Sequence, residues 1–263
     1  MTASVTDSAL QPPLKWAGGK RWLVGTLTRL WDPRRRLVEP FVGGMAVALG
    51  LRPERALLND ANPHLMSFYS WIQRGMRCSV PMENASAAYY AHRARFNQLV
   101  STGEGHTSEA AELFYYLNRT GFNGLCRFNA SGGFNVPFGR YAKIAYRKDF
   151  APYAHVFDRW TLTGGDFTAL NVDDGDWVYA DPPYDVPFTS YTGGGFSWDD
   201  QVRLARWLAA LPCPVVASNQ ATPRVLKLYA ELGFSLTVLP APRRISCSGD
   251  RTPADEMLAT RGC

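Results

Sequence analysis

The sequence predicts an α/β fold whose core is a mainly parallel sheet. Residues 37–42 form a short apolar run that ends in two glycines and continues into an apolar stretch at 45–49, a pattern typical of strand, tight turn and helix. Residues 56–58, 177–180 and 214–217 are further apolar runs, each followed by polar side chains, as in buried parallel strands. These observations indicate a sheet that presents polar residues at the carboxyl ends of its strands.

The second half of the chain continues this alternation. Ser197 and Asp200 resemble a helix-capping pair. Apolar residues then recur at helical spacing, at Leu204, Trp207, Leu208 and Leu211. Residues 234–239 and 256–260 are two more strand candidates, and we expect the basic stretch 243–251 between them to be an exposed loop.

The middle of the chain departs from this pattern. Helices are predicted in three ranges, 64–74, 84–100 and 109–118. Residues 121–141 are rich in Gly, Asn and aromatic residues, which favours hairpins and loops. We therefore expect residues 63–150 to form an inserted domain, and residues 1–62 and 151–263 to form one discontinuous domain around it.

Charge is concentrated in one part of the insert. The chain has 28 Lys and Arg against 23 Asp and Glu, a net charge of +5. All of this excess lies in 115–150, which holds Arg119, Arg127, Arg140, Lys143, Arg147, Lys148 and the single acid Asp149. The same stretch holds nine of the 34 aromatic residues. Basic side chains interleaved with flat rings are typical of a nucleic-acid surface.

Several classes of protein are excluded by composition. With 46% hydrophobic and 19% charged residues the chain is neither disordered nor fibrous. Its five cysteines are widely spaced and lie at no metal-ligand interval, so we expect reduced thiols, a cytoplasmic protein and no metal. The first eight residues lack the basic and apolar regions of a signal peptide, and no apolar run is long enough to span a membrane.

The most specific motif is Asp181-Pro182-Pro183-Tyr184, directly after an apolar strand. An exocyclic amine on adenine must lose conjugation and gain positive charge when it attacks an electrophilic methyl group. The Asp181 carboxylate and the Pro182 carbonyl could accept its two N–H groups, and Tyr184 could stack on the base. Such a base must first be flipped out of the duplex. A rigid Asp-Pro turn without chemistry is the alternative.

A cofactor site is predicted around Gly43. The dinucleotide motif G-x-G-x-x-G is absent, so no pyrophosphate cradle is indicated, but S-adenosylmethionine needs none. Asp60, at a strand end, suits its ribose, Phe41 suits stacking, and Lys20 suits its carboxylate. A simple tight turn at Gly43 is the alternative.

Two more segments are candidates for ligand contact. The glycines within 15–20 would let the backbone approach a ligand closely, although a solvated charged turn is also compatible with this segment. Asn118, Arg119, Asn123 and Arg127 are polar side chains of the kind that read base edges, and their alternative role is capping helix ends and turns.

Together these motifs resemble the Dam-type DNA adenine N6-methyltransferases, from Leu14 to Thr260. The resemblance is carried by 15–20, 38–44, 60–62, 116–119, 121–127, 134–141 and 181–184, in the family's order. It implies a Rossmann-like S-adenosylmethionine-dependent methyltransferase sheet with a mostly helical target-recognition insert ending in a hairpin. The implied partner is double-stranded DNA, with methylation of adenine in GATC by a monomeric enzyme.

The resemblance also assigns residues. Trp16, Lys20, Asp60 and Asp181 would line the S-adenosyl-L-methionine pocket, with Phe41 and Gly43 beneath it. DNA contacts would come from Lys15, Phe122, Asn123, Leu125, Arg127 and Pro137. The polar pattern described above adds Arg119 to these DNA contacts, and the basic excess adds phosphate contacts at Arg140, Lys143, Arg147 and Lys148. Three positions depart from the family: Met45 replaces a glycine in the cofactor turn, Phe122 replaces a tyrosine, and Ser131-Gly132-Gly133 lacks a charge.

Other activities remain open alternatives. Methylation of cytosine N4 poses the same amine problem, although a serine in place of Asp181 would favour it. Methylation of cytosine C5 needs a cysteine nucleophile, and the Pro-Cys pair at Cys213 lies outside the catalytic tetrapeptide. A catalytically silent DNA-binding module is the alternative from a different class, and the intact Asp181 and Tyr184 argue against it.

Overall fold

The computed structural model describes residues 10–184, 196–241 and 254–263. The N-terminal eight residues, where no signal peptide is predicted, and the predicted basic loop at 243–251 lie outside these ranges. Within the described ranges no helix has the length and apolar character needed to cross a membrane.

One seven-stranded sheet forms the centre of the structure. Its strands are β1 (Arg36–Glu39), β2 (Ala56–Asp60), β3 (Trp160–Gly164), β4 (Asp176–Ala180), β5 (Val215–Gln220), β6 (Ser235–Ala241) and β7 (Ala254–Arg261). They are arranged in the order β3-β2-β1-β4-β5-β7-β6. The first five are parallel, and β7 runs antiparallel to both β5 and β6. This topology confirms the predicted Rossmann-like α/β sheet.

Eight α-helices accompany this sheet in the described part of the chain. They are α1 (Val24–Leu30), α2 (Ala46–Leu51), α3 (Pro63–Gln73), α4 (Ser86–Ser101), α5 (Ser108–Thr120), α6 (Ala151–Phe157), α7 (Trp198–Ala210) and α8 (Pro223–Glu231). The predicted capping pair is confirmed, because Ser197 and Asp200 form a capping box at the start of α7. The predicted helices at 64–74, 84–100 and 109–118 correspond to α3, α4 and α5.

Some elements differ from the prediction. Strand β1 ends at Glu39, because Pro40 lacks the N–H that would continue the ladder, although the Val42 N–H still donates to the Asn59 carbonyl at 2.8 Å. Strand β3 gave no sequence signal, since it lies at the sheet edge and only Trp160 in it is buried. Helices α1, α6 and α8 were likewise not predicted.

Four of the nine aromatic residues at 115–150 belong to the core, which corrects their interpretation as part of a nucleic-acid surface. Tyr115, Tyr116, Phe134 and Phe150 are all buried. Their rings pack on other aromatics; Tyr115, for example, stacks on Phe68 with centroids 5.7 Å apart. Four of the six basic side chains of the segment are exposed, because charges are costly to bury without partners.

Candidate active site

Five residues of the candidate site lie at the end of the sheet where the parallel strands have their carboxyl ends. Gly43 follows β1, Asp60 ends β2, Asp181 follows β4 and Ser218 lies in β5. Glu256 joins them because β7 runs antiparallel and pairs Glu256 with Gln220 at the end of β5. The parallel strand order therefore assembles this site at the carboxyl ends of the strands, as ligand sites in such sheets require.

Lys20 is the centre of a buried charge network. Its side chain is 4% exposed, and its ammonium lies 2.8 Å from the Asp181 carboxylate and 3.4 Å from that of Glu256. Lys20 also donates to the Tyr184 hydroxyl at 2.8 Å, and that hydroxyl donates to Glu256 at 2.6 Å. Ser218 donates to Asp181 at 3.0 Å. One lysine thus holds two carboxylates and a phenol together.

Burial and charge oppose each other in this network. Burial alone would lower the pKa of Lys20, but the carboxylates of Asp181 and Glu256 outweigh it and raise that pKa. Burial raises the pKa of Asp181, with Lys20 and Ser218 acting in the opposite direction. Burial, followed by the neighbouring carboxylates, also raises the pKa of Tyr184, so the phenol stays protonated. The tetrapeptide therefore presents a paired carboxylate and a neutral tyrosine.

The backbone of the tetrapeptide is held by a hydrogen bond from helix α7. Gln201 on α7 is 1% exposed and donates to the Pro183 carbonyl at 2.7 Å. Asn219 on β5 in turn donates to the Gln201 side chain at 3.0 Å. Pro182 is buried, whereas Pro183 is exposed. These contacts and the two fixed proline φ angles hold the direction in which the Pro182 carbonyl points.

The Gly-Gly turn after β1 lies beneath Trp16. A Cβ on Gly43 would come within 2.7 Å of the indole nitrogen, and one on Gly44 would come within 2.7 Å of the Trp16 Cβ. The Gly43 N–H donates to Asp60 at 3.0 Å, and burial raises the pKa of Asp60. Trp16, the turn and Asp60 thus form one contiguous set, as predicted for the cofactor site.

Two other predicted cofactor-site positions have particular environments. Met45 has φ 60°, the left-handed conformation that favours glycine, and its side chain is fully buried. Phe41 packs on Phe167 and Phe196 with ring centroids 5.6 Å away in each case. The strain at Met45 is offset by burial of its side chain, so this departure from the family preserves the turn.

The predicted recognition turn lies at the end of α5. Phe122 is 43% exposed, and its N–H donates to the Pro137 carbonyl at 2.8 Å. Asn123 has φ 52°, so the turn bends sharply there. Leu125, which follows, is half-buried against the core. The bond to Pro137 brings together two predicted DNA contacts from opposite sides of the hairpin.

The predicted basic contacts fall into two groups. Arg140, Lys143, Arg147 and Lys148 are exposed, as phosphate contacts must be. Arg127 instead donates to the Asn135 side chain at 2.7 Å and to its carbonyl at 3.3 Å. Arg119 is half-buried, and its Nε has no hydrogen-bond partner among the described residues. Arg127 is therefore pre-positioned by the hairpin rather than free in solvent.

Lys15 lies between the active site and the recognition turn. Its ammonium donates to the Arg119 carbonyl at 3.2 Å and lies 3.3 Å from the centroid of the Tyr141 ring. Burial, and secondarily the charge of Arg119, lower the pKa of Lys15 to about 8. This lysine is more easily neutralised than an ordinary surface lysine.

Sequence reasoning missed Glu256, Gln201 and Glu39 as site residues. Glu256 carried a usable signal, since it is a charged residue in an apolar strand candidate. Glu39, at the end of β1, is 2% exposed; its Oε1 has no hydrogen-bond partner within the described ranges, and burial raises its pKa well above the usual value. No periodicity signals Gln201, whose role depends on the position of α7 beside the tetrapeptide.

Comparison with known proteins agrees with this geometry. The model of the D12 class N6 adenine-specific DNA methyltransferases matches residues 16–245. A DNA adenine methylase of Vibrio cholerae is 39% identical over 94% of each chain. One from Escherichia coli K12 is 36% identical over 94% of this chain and 93% of its own. Among solved structures, a tRNA (m1A58) methyltransferase from Aquifex aeolicus matches 96% of this chain and 70% of its own, at 10% identity and a TM-score of 0.37. The chain belongs to the D12 class of N6 adenine-specific DNA methyltransferases.

Proposed function

We propose that the protein transfers a methyl group from S-adenosyl-L-methionine to N6 of a flipped adenine in double-stranded DNA, within GATC. The carrying observation is the Asp181 carboxylate at the end of β4, held by Lys20 at 2.8 Å beside Tyr184. The relatives named DNA adenine methylase support the GATC site through the Dam-type resemblance.

The residues around the Gly43 turn fit S-adenosyl-L-methionine. The two glycines leave no room for a Cβ beneath Trp16, so the indole packs directly on the turn and would form a wall of the pocket together with it. Asp60 provides carboxylate oxygens for ribose hydroxyls, and the unpaired Glu39 oxygen adds an acceptor below the turn. We assign Trp16, Lys20, Phe41, Gly43, Asp60 and Asp181 to this pocket. The cofactor would supply an electrophilic methyl group on a sulfonium centre.

The chain's own residues prepare the adenine nitrogen for attack. Asp181 and the Pro182 carbonyl accept the two N–H groups of the amine, and these hydrogen bonds strengthen as the nitrogen becomes tetrahedral and positive. The ion pair with Lys20 favours the ionised form of Asp181 and opposes the burial that raises its pKa. Tyr184, anchored through its hydroxyl, offers its ring to the base.

We propose that the insert reads the duplex. Phe122 and Asn123 would occupy the space beside the flipped adenine, because the ring is exposed at a sharp turn. Lys15 would approach the first base pair, and Leu125, Arg127 and Pro137 would read the following pairs. Arg119 and Arg140 complete the assigned DNA contacts, and Lys143, Arg147 and Lys148 meet phosphates.

The domain division follows the same proposal. Residues 63–150 form the target-recognition domain, and residues 1–62 with 151–263 form the catalytic domain. The enzyme acts as a monomer in the cytoplasm.

The decisive experiment follows labelled methyl groups from S-adenosyl-L-methionine into duplexes that differ only by GATC or GTTC. We expect label on adenine N6 in GATC alone. Equal transfer to both duplexes would refute the proposed site, label on cytosine would refute the adenine assignment, and no transfer at all would indicate a silent binding module. Asp181→Ala should abolish turnover, whereas Asp173→Ala, an exposed acid beyond the opposite end of the sheet, should not. An Asp181→Ala rate within tenfold of wild type would refute the mechanism.

A further inference from the structure

We propose that Asn118 is a positioning residue that couples the recognition turn to the cofactor and catalytic site. This inference rests on the proposed function. It adds a residue through which binding of DNA changes the affinity for the cofactor, and binding of the cofactor changes the affinity for DNA. It is carried by hydrogen bonds that join the end of α5 both to the N-terminal segment, 103 positions away, and to the recognition turn that follows α5.

The Asn118 side chain is fully engaged. It lies in the last turn of α5 and is 1% exposed. Its oxygen accepts the Lys15 N–H at 2.9 Å, and its nitrogen donates to the Lys15 carbonyl at 2.8 Å. The same nitrogen donates to the Gly124 carbonyl at 3.3 Å. A carboxamide has one acceptor oxygen and two donor hydrogens, so Asn118 is matched to this set of partners.

On one side, Lys15 leads directly to the proposed catalytic machinery. The next residue, Trp16, covers the Gly43 turn so closely that no Cβ would fit there. Four residues further on, Lys20 binds Asp181 and Glu256. A shift of the Lys15 backbone would therefore move Trp16 across the turn and disturb the position of Lys20.

On the other side, Gly124 belongs to the recognition turn that exposes Phe122. Gly124 has φ 63°, and a Cβ there would collide with the Lys15 side chain. Tyr141, whose ring lies under the Lys15 ammonium, donates to the Gly121 carbonyl at 2.9 Å. The turn and the N-terminal segment are thus in direct contact, with Asn118 as the shared hydrogen-bonding group.

This arrangement has a thermodynamic consequence. A ligand that orders the turn also orders the Lys15 backbone, so the second ligand has less conformational freedom to remove. Because coupling of binding is reciprocal, DNA must strengthen cofactor binding by the factor by which cofactor strengthens DNA binding.

The chain offers a matched control in Asn97. On α4, Asn97 makes the same two-point pairing with one backbone residue: its oxygen accepts the Phe134 N–H at 2.7 Å and its nitrogen donates to the Phe134 carbonyl at 3.1 Å. It holds the far side of the hairpin, and neither of these two bonds reaches residues 15–20. Loss of Asn97 should therefore disturb the hairpin without affecting the coupling.

The test measures binding of S-adenosyl-L-homocysteine, which cannot be consumed, by titration calorimetry with and without a saturating GATC duplex. We expect about fivefold or tighter binding with the duplex in wild type and in Asn97→Asp, and less than a twofold difference in Asn118→Asp. Thermal melts monitor folding. If Asn118→Asp does not fold, Gly124→Ala tests the same contact between the recognition turn and the N-terminal segment, since its methyl group would displace Lys15. This variant should likewise reduce the ratio of the dissociation constants measured without and with the duplex.

Three results would overturn the proposal. The first is that the duplex leaves the dissociation constant of S-adenosyl-L-homocysteine unchanged in wild type. The second is that the ratio of the dissociation constants without and with the duplex is the same in wild type and in Asn118→Asp. The third is that this ratio falls as much in the Asn97→Asp control as in Asn118→Asp. Filter binding of the duplex to wild type is measured alongside, and as long as wild type binds both ligands the proposed function survives each of these results. If wild type binds neither ligand, the proposed function itself fails together with this inference.

Discussion

The ammonium of Lys20 lies 2.8 Å from the carboxylate of Asp181, although 161 positions separate them in sequence. The carboxylate of Glu256 lies 3.4 Å from the same ammonium and accepts a hydrogen bond from the Tyr184 hydroxyl. The charge of the proposed catalytic carboxylate is therefore influenced by a lysine from the N-terminal segment and, through that lysine, by an acid from the last strand. This relationship makes the pH dependence of the reaction a direct probe of the site.

Glu256→Gln should shift the alkaline limb of the rate profile to lower pH. The change removes one of the two carboxylates that raise the pKa of Lys20 and leaves an amide that can still bond Tyr184. Lys20 then loses its proton at lower pH, and Asp181 loses its counter-ion with it. The measurement is kcat against pH. Glu112→Gln, at a buried acid that binds Ser79 instead, should lower the melting temperature without moving the profile. An unshifted limb in Glu256→Gln would contradict this account.

Gly43→Ala should weaken cofactor binding at least tenfold. Its added methyl group has no space beside the indole nitrogen of Trp16, and φ 45° at Gly43 adds backbone strain. Gly25→Ala is the control: it lies in α1 with nothing within 4 Å of the added Cβ, so the variant should bind normally and be more stable by about 0.5–1 kcal/mol. Calorimetric titration gives the affinities, and urea unfolding gives the stabilities. Normal affinity in Gly43→Ala would place the cofactor elsewhere.

DNA binding should weaken as the pH rises through about 8. Lys15 has its pKa lowered to about 8, so its positive charge is present below that pH and lost above it. Exposed lysines remain charged over the same range. Dissociation constants for a GATC duplex at pH 7 and pH 9, at constant ionic strength, test this expectation. Lys15→Met should bind weakly at both pH values and show a flat response; a wild-type response equally flat would rule out a charged contact from Lys15.

The exposed basic residues of the insert should determine how strongly DNA binding depends on salt concentration. Arg140→Ala and Lys143→Ala should each reduce the slope of log K against log salt by about 1, because each removes one phosphate contact. Arg34→Ala provides the comparison, since Arg34 is 88% exposed but precedes the amino end of β1, opposite the site. Filter binding of a GATC duplex over a range of salt concentrations measures the slopes. A slope in Arg140→Ala equal to that in Arg34→Ala would remove Arg140 from the interface.

Sequence patterns predicted the elements with continuous apolar runs or clear caps. β4 and β5 were predicted because both of their faces are buried, and α7 because Ser197 and Asp200 mark its start. β3 was missed because an edge strand buries few side chains and so carries no apolar run. Four of the aromatic residues at 115–150 were interpreted as surface residues but lie in the core, because composition does not distinguish an aromatic core from an aromatic surface.

The sequence by itself determined the motifs on which the proposed chemistry rests: the Asp181 tetrapeptide, the Gly43 turn, Asp60 and the order of the motifs, each of which is local along the chain. Only the tertiary structure decided which side chains share that chemistry. Glu256 enters the site because β7 runs antiparallel beside β5, and Asn118 meets Lys15 because α5 ends beside the N-terminal segment. Such contacts join residues on elements far apart in sequence, so they depend on strand order and helix packing, which no local pattern encodes.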